Sequence, residues 1–190
     1  MELRLVKNFI YFHHLNKACL LPQYPESLSD STSVTWTSTN LLQSSAPIQT
    51  WSNSGPRTVG FEFDLHREML ADVNLAGESL LGKDLISEEP ETLLEDLVYT
   101  IEAAALPRYT LVTRLVNPPV VSVCIGKQIY IKGVVNNGVT HTFKGAIRNE
   151  KYNEITLSFS VTEITPYDAE SIQRLGKFRG QTQRRLTNIL

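Results

Sequence analysis

The chain has 190 residues, a hydrophobic fraction of 42% and a formal net charge of −2, which suits one folded domain with a short extension. No apolar run approaches the roughly 18 residues that a membrane-spanning helix needs, and the N-terminus shows no secretory signal. The two cysteines, Cys19 and Cys124, are too few for a disulfide framework. Both are expected to be buried or half-buried thiols of a protein made in a reducing cytoplasm.

The charges are distributed unevenly along the chain. From Glu62 to Glu102 there are twelve acidic residues and two basic ones, whereas from Ala103 onward there are twelve basic residues and five acidic ones. Such separation favours oriented contacts between copies or partners, because opposite patches attract and like patches reject wrong registers. An acidic, solvated helix face combined with a basic tail explains the same distribution equally well.

Alternation of apolar and polar residues predicts most of the first half of the chain. Residues 2–12 are aromatic-rich and predict a strand, and the two prolines within residues 20–29 favour a crossing segment. Two further strands are predicted around residues 32–36 and 58–66, followed by connecting structure over residues 72–83. Their core-facing side chains are expected to be Val34, Trp36, Val59, Phe61, Phe63 and Leu65.

Between these two strands the sequence predicts a long projecting loop over residues 39–54. The segment is rich in Ser, Thr, Asn and Gln, yet it carries large apolar side chains at Leu41, Leu42, Ile48 and Trp51. Loops this long inside a compact domain are usually functional or disordered, so we expect these four side chains to be buried against a partner. The alternative is a loop that folds back over its own sheet and covers a satellite apolar cluster.

An amphipathic helix is predicted over residues 90–105. Pro90 suits its first turn, Ser87 is a candidate cap, and Glu88 and Glu89 complement the positive end of the helix dipole. One apolar stripe recurs at spacings of three and four: Leu93, Leu94, Leu97, Val98, Ile101, Ala104 and Ala105. Pro107 is expected to end the helix.

The second half of the chain predicts a meander of antiparallel strands. Alternation is regular from Val121 to Ile125, again from Ile129, and once more from Ile155 to Val161. Turns are expected at Gly126-Lys127, at Asn136-Asn137-Gly138 and over residues 149–153. The second of these is the strongest hairpin signal, because Asn and Gly accept the positive φ that such turns require.

The β domain is expected to span residues 1–166 and to be followed by a basic C-terminal extension over residues 167–190. The extension carries Arg174, Lys177, Arg179, Arg184 and Arg185, which we expect to contact an acidic partner surface. Arginine and lysine also neutralise phosphates, so an alternative function is that of a nucleic-acid-binding β-barrel protein that uses this tail. Only Phe178 interleaves these charges, which disfavours that alternative.

The sequence contains no recognisable catalytic, metal or cofactor motif. Asp64 and His66, together with Glu62, could form an acid–base pair of a hydrolase. Charged residues are nevertheless routine on the polar face of an alternating strand, and no nucleophile or ligand set accompanies these three. The chain is therefore expected not to be an enzyme and not to need a metal or cofactor.

Two segments resemble the tube-initiator or LysM-adaptor proteins of contractile bacteriophage baseplates and related injection machines. Ser44 to Met69 has a proline-bearing loop, GlyProArgThr and an alternating strand, and Phe143 to Asp168 has a final hairpin that ends in ValThrGluIleThrProTyr. The order of elements from Phe9 to Gly176 is similar to that of the tail-tube fold. The residues after Gly176 do not resemble the LysM module that such adaptors often carry, which disfavours binding through such a module.

The resemblance implies a mainly β (α+β) fold, a twisted β-sandwich or barrel with a flanking helix and a projecting loop. It implies a structural virion protein of the tail baseplate that forms a closed ring, expected to be a hexamer, between the central hub and the tail tube. Contacts to neighbouring copies would come from the loop and its end, through Leu41, Leu42, Ile48, Trp51 and Arg57. DNA would pass only as cargo through the channel, with no membrane partner.

Overall fold

The computed structural model describes residues 8–40, 46–73, 84–85, 91–106, 108–109, 116–117, 119–126, 128–165 and 169. Residues 67–73 are helical (α1), and the second helix, α2, spans Leu93–Ala105. The ten strands in chain order are β1 Asn8–Phe12, β2 Lys17–Leu20, β3 Ser27–Thr39, β4 Ile48–His66, β5 Asp84–Leu85, β6 Arg108–Tyr109, β7 Val116–Asn117, β8 Val120–Ile125, β9 Ile129–Arg148 and β10 Lys151–Glu163. The predicted mainly β class is confirmed.

One open sheet dominates the described residues. Its strand order is β3-β4-β10-β9-β8-β1-β2-β5, and every neighbouring pair is antiparallel except β2 and β5. β6 and β7 form a separate two-stranded pair. Because β3 and β5 lie at opposite edges, the sheet does not close on itself, and the barrel form of the predicted fold is wrong.

Alternation in β4 and β10 builds the centre of the core, as the sequence predicts. Val59, Phe61, Phe63 and Leu65 are buried, and in the paired strand Ile155, Leu157, Phe159 and Val161 are buried opposite them. The rings of Phe61, Phe63 and Phe159 lie 5.4 to 6.2 Å apart, centroid to centroid. This apolar face belongs to the same core cluster as the apolar side of α2.

Helix α2 confirms the predicted apolar stripe but begins later than predicted. Its buried residues are Leu93, Leu94, Leu97, Val98, Ile101 and Ala104. The helix starts at Leu93 after Thr92 and ends at Ala105. Ser87 to Pro90 and Pro107 lie outside the described residues. Glu95 and Asp96 supply the acidic first turn instead.

The turn predicted at Asn136-Asn137-Gly138 is wrong, because β9 continues through it. Val139 pairs with Phe159 and Asn136 pairs with the next residue, Ser160, so two residues of β9 are left without a cross-strand partner. Asn137 and Gly138 have φ of 60° and 78°. The residue types predicted the positive φ correctly, but the two residues form a β-bulge rather than a hairpin turn. The other two turns fare better. β8 and β9 form a hairpin whose connection includes Lys127, which lies outside the described residues, and the turn predicted over residues 149–153 is confined to residues 149–150 because β10 begins at Lys151.

Helix α1 was not predicted from the sequence. Its first residue, Arg67, connects α1 to α2 and to β10 through hydrogen bonds. The guanidinium donates to both carboxylate oxygens of Glu95 in α2, at 2.5 and 2.7 Å, and to the carbonyl oxygen of Tyr152 in β10 at 2.9 Å. A further hydrogen bond reaches the carbonyl oxygen of Glu91. Arg67 therefore fixes the start of α2 against the sheet. None of the described helices is long and apolar enough to cross a membrane.

The carboxylate of Glu95 makes this attachment dependent on pH. Burial is the largest single influence and opposes ionisation of this carboxyl. The hydrogen bonds from Arg67, a backbone hydrogen bond at Glu95 and the positive charges of Arg67 and Lys151 together outweigh burial, and they hold the pKa of Glu95 below its ordinary value of 4.5. Because the folded pKa is lowered, the pair stabilises the fold above pH 4.5, and this contribution is lost as the pH falls through the lowered pKa.

Glu95→Gln should lower the free energy of unfolding by about 1 kcal/mol at neutral pH. Urea unfolding across pH should show the two proteins converging in acid; a constant difference would contradict this assignment.

Gly133 in β9 is fixed by close packing against β10. A Cβ at this position would lie 2.0 Å from the carbonyl oxygen of Thr162, which is backbone and cannot rotate away. Gly133→Ala should therefore lower the free energy of unfolding by about 3 kcal/mol, measured by urea unfolding. Gly60→Ala is the matched control, because its Cβ would meet only the rotatable hydroxyl of Ser29 and should cost under about 1 kcal/mol. Equal losses in both variants would refute the explanation.

Candidate assembly interface

The hairpin of β3 and β4 extends beyond the rest of the sheet. β10 pairs with β4 only as far as Thr58, whereas β3 continues to pair with β4 out to Thr39 and Ile48. We call residues 32–39 and 48–56 the arm. The arm is a two-stranded ribbon, and within the part of the chain that the structure describes no third strand supports either of its edges. A two-stranded ribbon has no interior of its own, so its side chains depend on solvent or on another surface.

The predicted loop over residues 39–54 is in large part this arm. Residues 48–54 form the first part of β4, so the connection between the strands is confined to residues 40–47. Leu41 and Leu42 lie outside the described residues. Every residue from Ser27 to Thr39 and from Ile48 to Ser54 is exposed. The alternative that this segment folds back over its own sheet is therefore wrong for the described residues.

Two tryptophans occupy one face of the arm. Trp36 and Trp51 are cross-strand partners, which places both side chains on the same face, and Val34 lies on that face two residues before Trp36. Their exposed fractions are 57%, 56% and 52%. Ile48, paired with Thr39, lies on the opposite face and is 52% exposed. The expectation that Val34 and Trp36 face the core is wrong, because no element covers the described arm.

The arm carries no charge. None of the 26 residues from Ser31 to Pro56 is Asp, Glu, Lys, Arg or His, and most of them are Ser, Thr, Asn or Gln. Edge strands of soluble proteins usually carry charges that discourage pairing with other chains. This uncharged run is the signal in the sequence that could have identified Val34 and Trp36 as part of the exposed surface.

The base of the arm is bent by an irregularity in β4 only. Between the pairs Thr32–Arg57 and Val34–Ser54, β4 contains one residue more than β3, and a second extra residue follows at Ser52. Gly55 lets Ser33 approach closely at the first irregularity, because a Cβ at residue 55 would lie 2.0 Å from the Oγ of Ser33 and this hydroxyl would have to rotate away. β3 itself stays regular, so its outer edge remains continuous along the arm.

Arg57 connects the base of the arm to the sheet. Its Nε and Nη2 atoms donate to the two carboxylate oxygens of Asp30 at 2.8 and 2.7 Å. Its Nη1 atom lies 3.8 Å from the carboxylate of Glu163 and 3.5 Å from the carbonyl oxygen of Tyr130. The guanidinium is thus engaged within the chain and positions the arm, while its contact with a neighbouring copy stays a prediction.

Asp64 and His66 do not form an acid–base pair in the structure. The carboxylate of Asp64 makes an ion pair with Lys144 at 2.8 Å and accepts a hydrogen bond from Thr156 at 2.6 Å. The hydrogen bonds from Lys144 and Thr156 hold the pKa of Asp64 below its usual range. The buried Nδ1 of His66 has no hydrogen-bond partner among the described residues. These contacts join β4 to β10 and β9, which is a structural arrangement.

The remaining candidate residues are placed as follows. Cys19 and Cys124 are buried thiols, as predicted. Arg174, Lys177, Arg179, Arg184 and Arg185 lie outside the described residues. The described residues contain no group of three or more His, Cys, Asp and Glu side chains that could hold a metal ion. The arm is therefore the strongest candidate site in the described part of the chain.

Comparison with known proteins adds no family assignment. No protein-family model matches the chain, and no curated protein sequence matches it significantly.

Removal of Arg57 tests its role at the base of the arm. Arg57→Met removes a guanidinium that lies 3.8 Å from the carboxylate of Glu163, which is 7% exposed. The free energy of unfolding should fall by about 3 kcal/mol, because a largely buried carboxylate loses a nearby positive charge. Arg57→Met combined with Glu163→Gln should recover part of that loss in urea unfolding. A double variant as unstable as the sum of its single variants would overturn the assignment.

Proposed function

We propose that the protein is a structural subunit that assembles with copies of itself into a closed ring through the arm. Following its resemblance to baseplate adaptors, the ring is a component of a contractile-tail baseplate, joins the central hub to the tail tube, and passes DNA only as cargo. The observation that carries the proposal is a two-stranded, uncharged ribbon that exposes Trp36 and Trp51 on one face.

Burial of the tryptophan face supplies the driving force for assembly. Large aromatic side chains contribute most of the binding free energy in protein interfaces, and Trp is among the most enriched residues there. Val34 extends the apolar strip along the same face. A monomer leaves these three side chains in water, whereas a neighbouring copy removes them from it.

The unpaired edges favour a closed assembly over an open one. Exposed strand edges invite pairing with other chains, and a closed ring satisfies each edge once. The long regular outer edge of β3 carries no Lys or Pro from Ser31 to Thr39 that would block such pairing. Sixfold symmetry is the copy number that the resemblance implies.

The proposal is tested by the assembly state of Trp36→Ser/Trp51→Ser. The full chain should form rings at micromolar concentration, seen by negative-stain electron microscopy and by light scattering during size-exclusion chromatography. Loss of two tryptophans should weaken assembly by about 100-fold or more and yield monomers. Tyr99→Ser is the matched control, since this tyrosine of α2 is 65% exposed and lies outside the arm.

Salt separates this function from nucleic-acid binding by the basic tail. Assembly through an uncharged arm should persist from low to high salt, because few counterions are released. Binding of labelled single- or double-stranded DNA through the tail would instead weaken steeply with salt. A wild-type chain that stays monomeric, or a double tryptophan variant that still forms rings, would refute the proposal. Salt-dependent DNA binding without assembly would support the alternative.

A further inference from the structure

We propose that Asn137 is a site of spontaneous deamidation in the folded protein, through a succinimide formed with the backbone nitrogen of Gly138. The inference is independent of the proposed function. It rests on the β-bulge of β9, which brings together an unhindered nucleophile, an exposed amide and access to water.

The bulge leaves Asn137 and Gly138 outside the regular ladder. Asn136 and Val139 have cross-strand partners in β10, and the two residues between them have none. Both are exposed, and both have positive φ. A Cβ built at Gly138 would meet no atom within 4 Å, so the space beside its Cα is open.

The reaction needs only this dipeptide and water. The nitrogen of Gly138 attacks Cγ of Asn137, the N–Cγ bond forms, the Cγ–Nδ2 bond breaks, and the proton of the attacking nitrogen leaves with the amide as ammonia. Water then opens the five-membered imide at one of its two carbonyl carbons. Opening at Cγ gives aspartate, and opening at the main-chain carbon gives isoaspartate. Glycine suits the attacking position because it has no side chain to hinder the nitrogen or restrict the backbone.

The neighbouring residue is protected, which makes the site specific. Asn136 donates from Nδ2 to the hydroxyl of Thr162 at 3.1 Å, and its Oδ1 accepts from the backbone N–H of Asn137 at 2.8 Å. It is also followed by Asn, whose side chain crowds the attacking nitrogen. Asn53 in the arm offers an internal comparison, because it is followed by Ser54 and keeps a cross-strand partner in Thr35.

Deamidation at the bulge would act on the polar contacts between β9 and β10. Ser160 donates to the carbonyl oxygen of Asn136 at 2.7 Å, and Thr162 contacts Thr58 of β4 through its hydroxyl at 3.1 Å. Isoaspartate adds one carbon to the main chain beside these contacts and places a carboxylate in the polar groove that Asn137 and Gly138 line. Conversion of Asn137 would then slowly change the contacts of this part of the sheet as the protein ages.

The test is peptide mapping of the full chain after incubation at neutral pH. Tandem mass spectrometry should locate the mass gain of amide-to-acid conversion at Asn137, and an isoaspartate methyltransferase assay should label the same peptide. Conversion at Asn137 should be roughly tenfold faster than at Asn53 in the same folded sample, since only Asn137 precedes glycine. Asn137→Gln, with its fold checked by circular dichroism, should remove the signal from this peptide.

A urea-denatured sample distinguishes the effect of the fold from that of the sequence. Conversion of Asn137 in the folded chain within about threefold of the denatured rate supports an open bulge. A folded chain that keeps Asn137 intact while the denatured chain converts would overturn the proposal, because the fold would then protect the site. Equal conversion at Asn53 and Asn137 in the folded chain would also overturn it.

Discussion

A two-stranded ribbon cannot bury its own side chains, and this constraint governs the most distinctive part of the molecule. In the body of the sheet, β4 has β3 on one side and β10 on the other, and alternate residues reach a core shared with α2. In the arm, on the side of Thr58 away from the core, none of the described residues forms a third strand, and every residue from Ile48 to Ser54 is exposed. The same strand thus changes from a core element to a surface element along its length. The sequence of β4 is compatible with a strand along its whole length. What differs between the two parts is therefore the number of neighbouring strands.

Interactions at the base of the arm fix the direction in which the arm leaves the sheet. Gly55 allows the close approach of Ser33, and Arg57 joins Asp30 of β3 to the Glu163 end of β10. A bidentate arginine–carboxylate pair constrains geometry more than a single contact does. With the base held in this way, less conformational freedom is lost when the arm meets a partner, and preorganisation of this kind strengthens binding without adding contacts.

Local periodicity was sufficient to predict elements whose environment follows from the period. The inner half of β4, the part of β10 from Ile155 to Val161 and the apolar stripe of α2 have one buried face each, and their alternation or helical spacing reports it. It was insufficient for Val34 and Trp36, because alternation shows that a strand has two faces and does not show whether anything covers them. Asn137 and Gly138 illustrate a second limit: residue type predicts positive φ, but the pairing of β10 decides between turn and bulge. The hydrogen bonds from Arg67 to Glu95 and Tyr152 could not be predicted from periodicity, since they join elements far apart in sequence.

The composition of the arm restricts the kind of surface that can bury it. A charged strand would carry a large desolvation penalty on burial unless each charge found a partner, and the arm avoids that penalty altogether. Its Ser, Thr, Asn and Gln side chains and its unpaired backbone edge still require hydrogen bonds when water is removed. A purely apolar cavity would satisfy the tryptophans and leave these groups unpaired. A surface that offers both an apolar face for Trp36 and Trp51 and a row of backbone donors and acceptors meets both requirements, and the edge of another β-sheet has both.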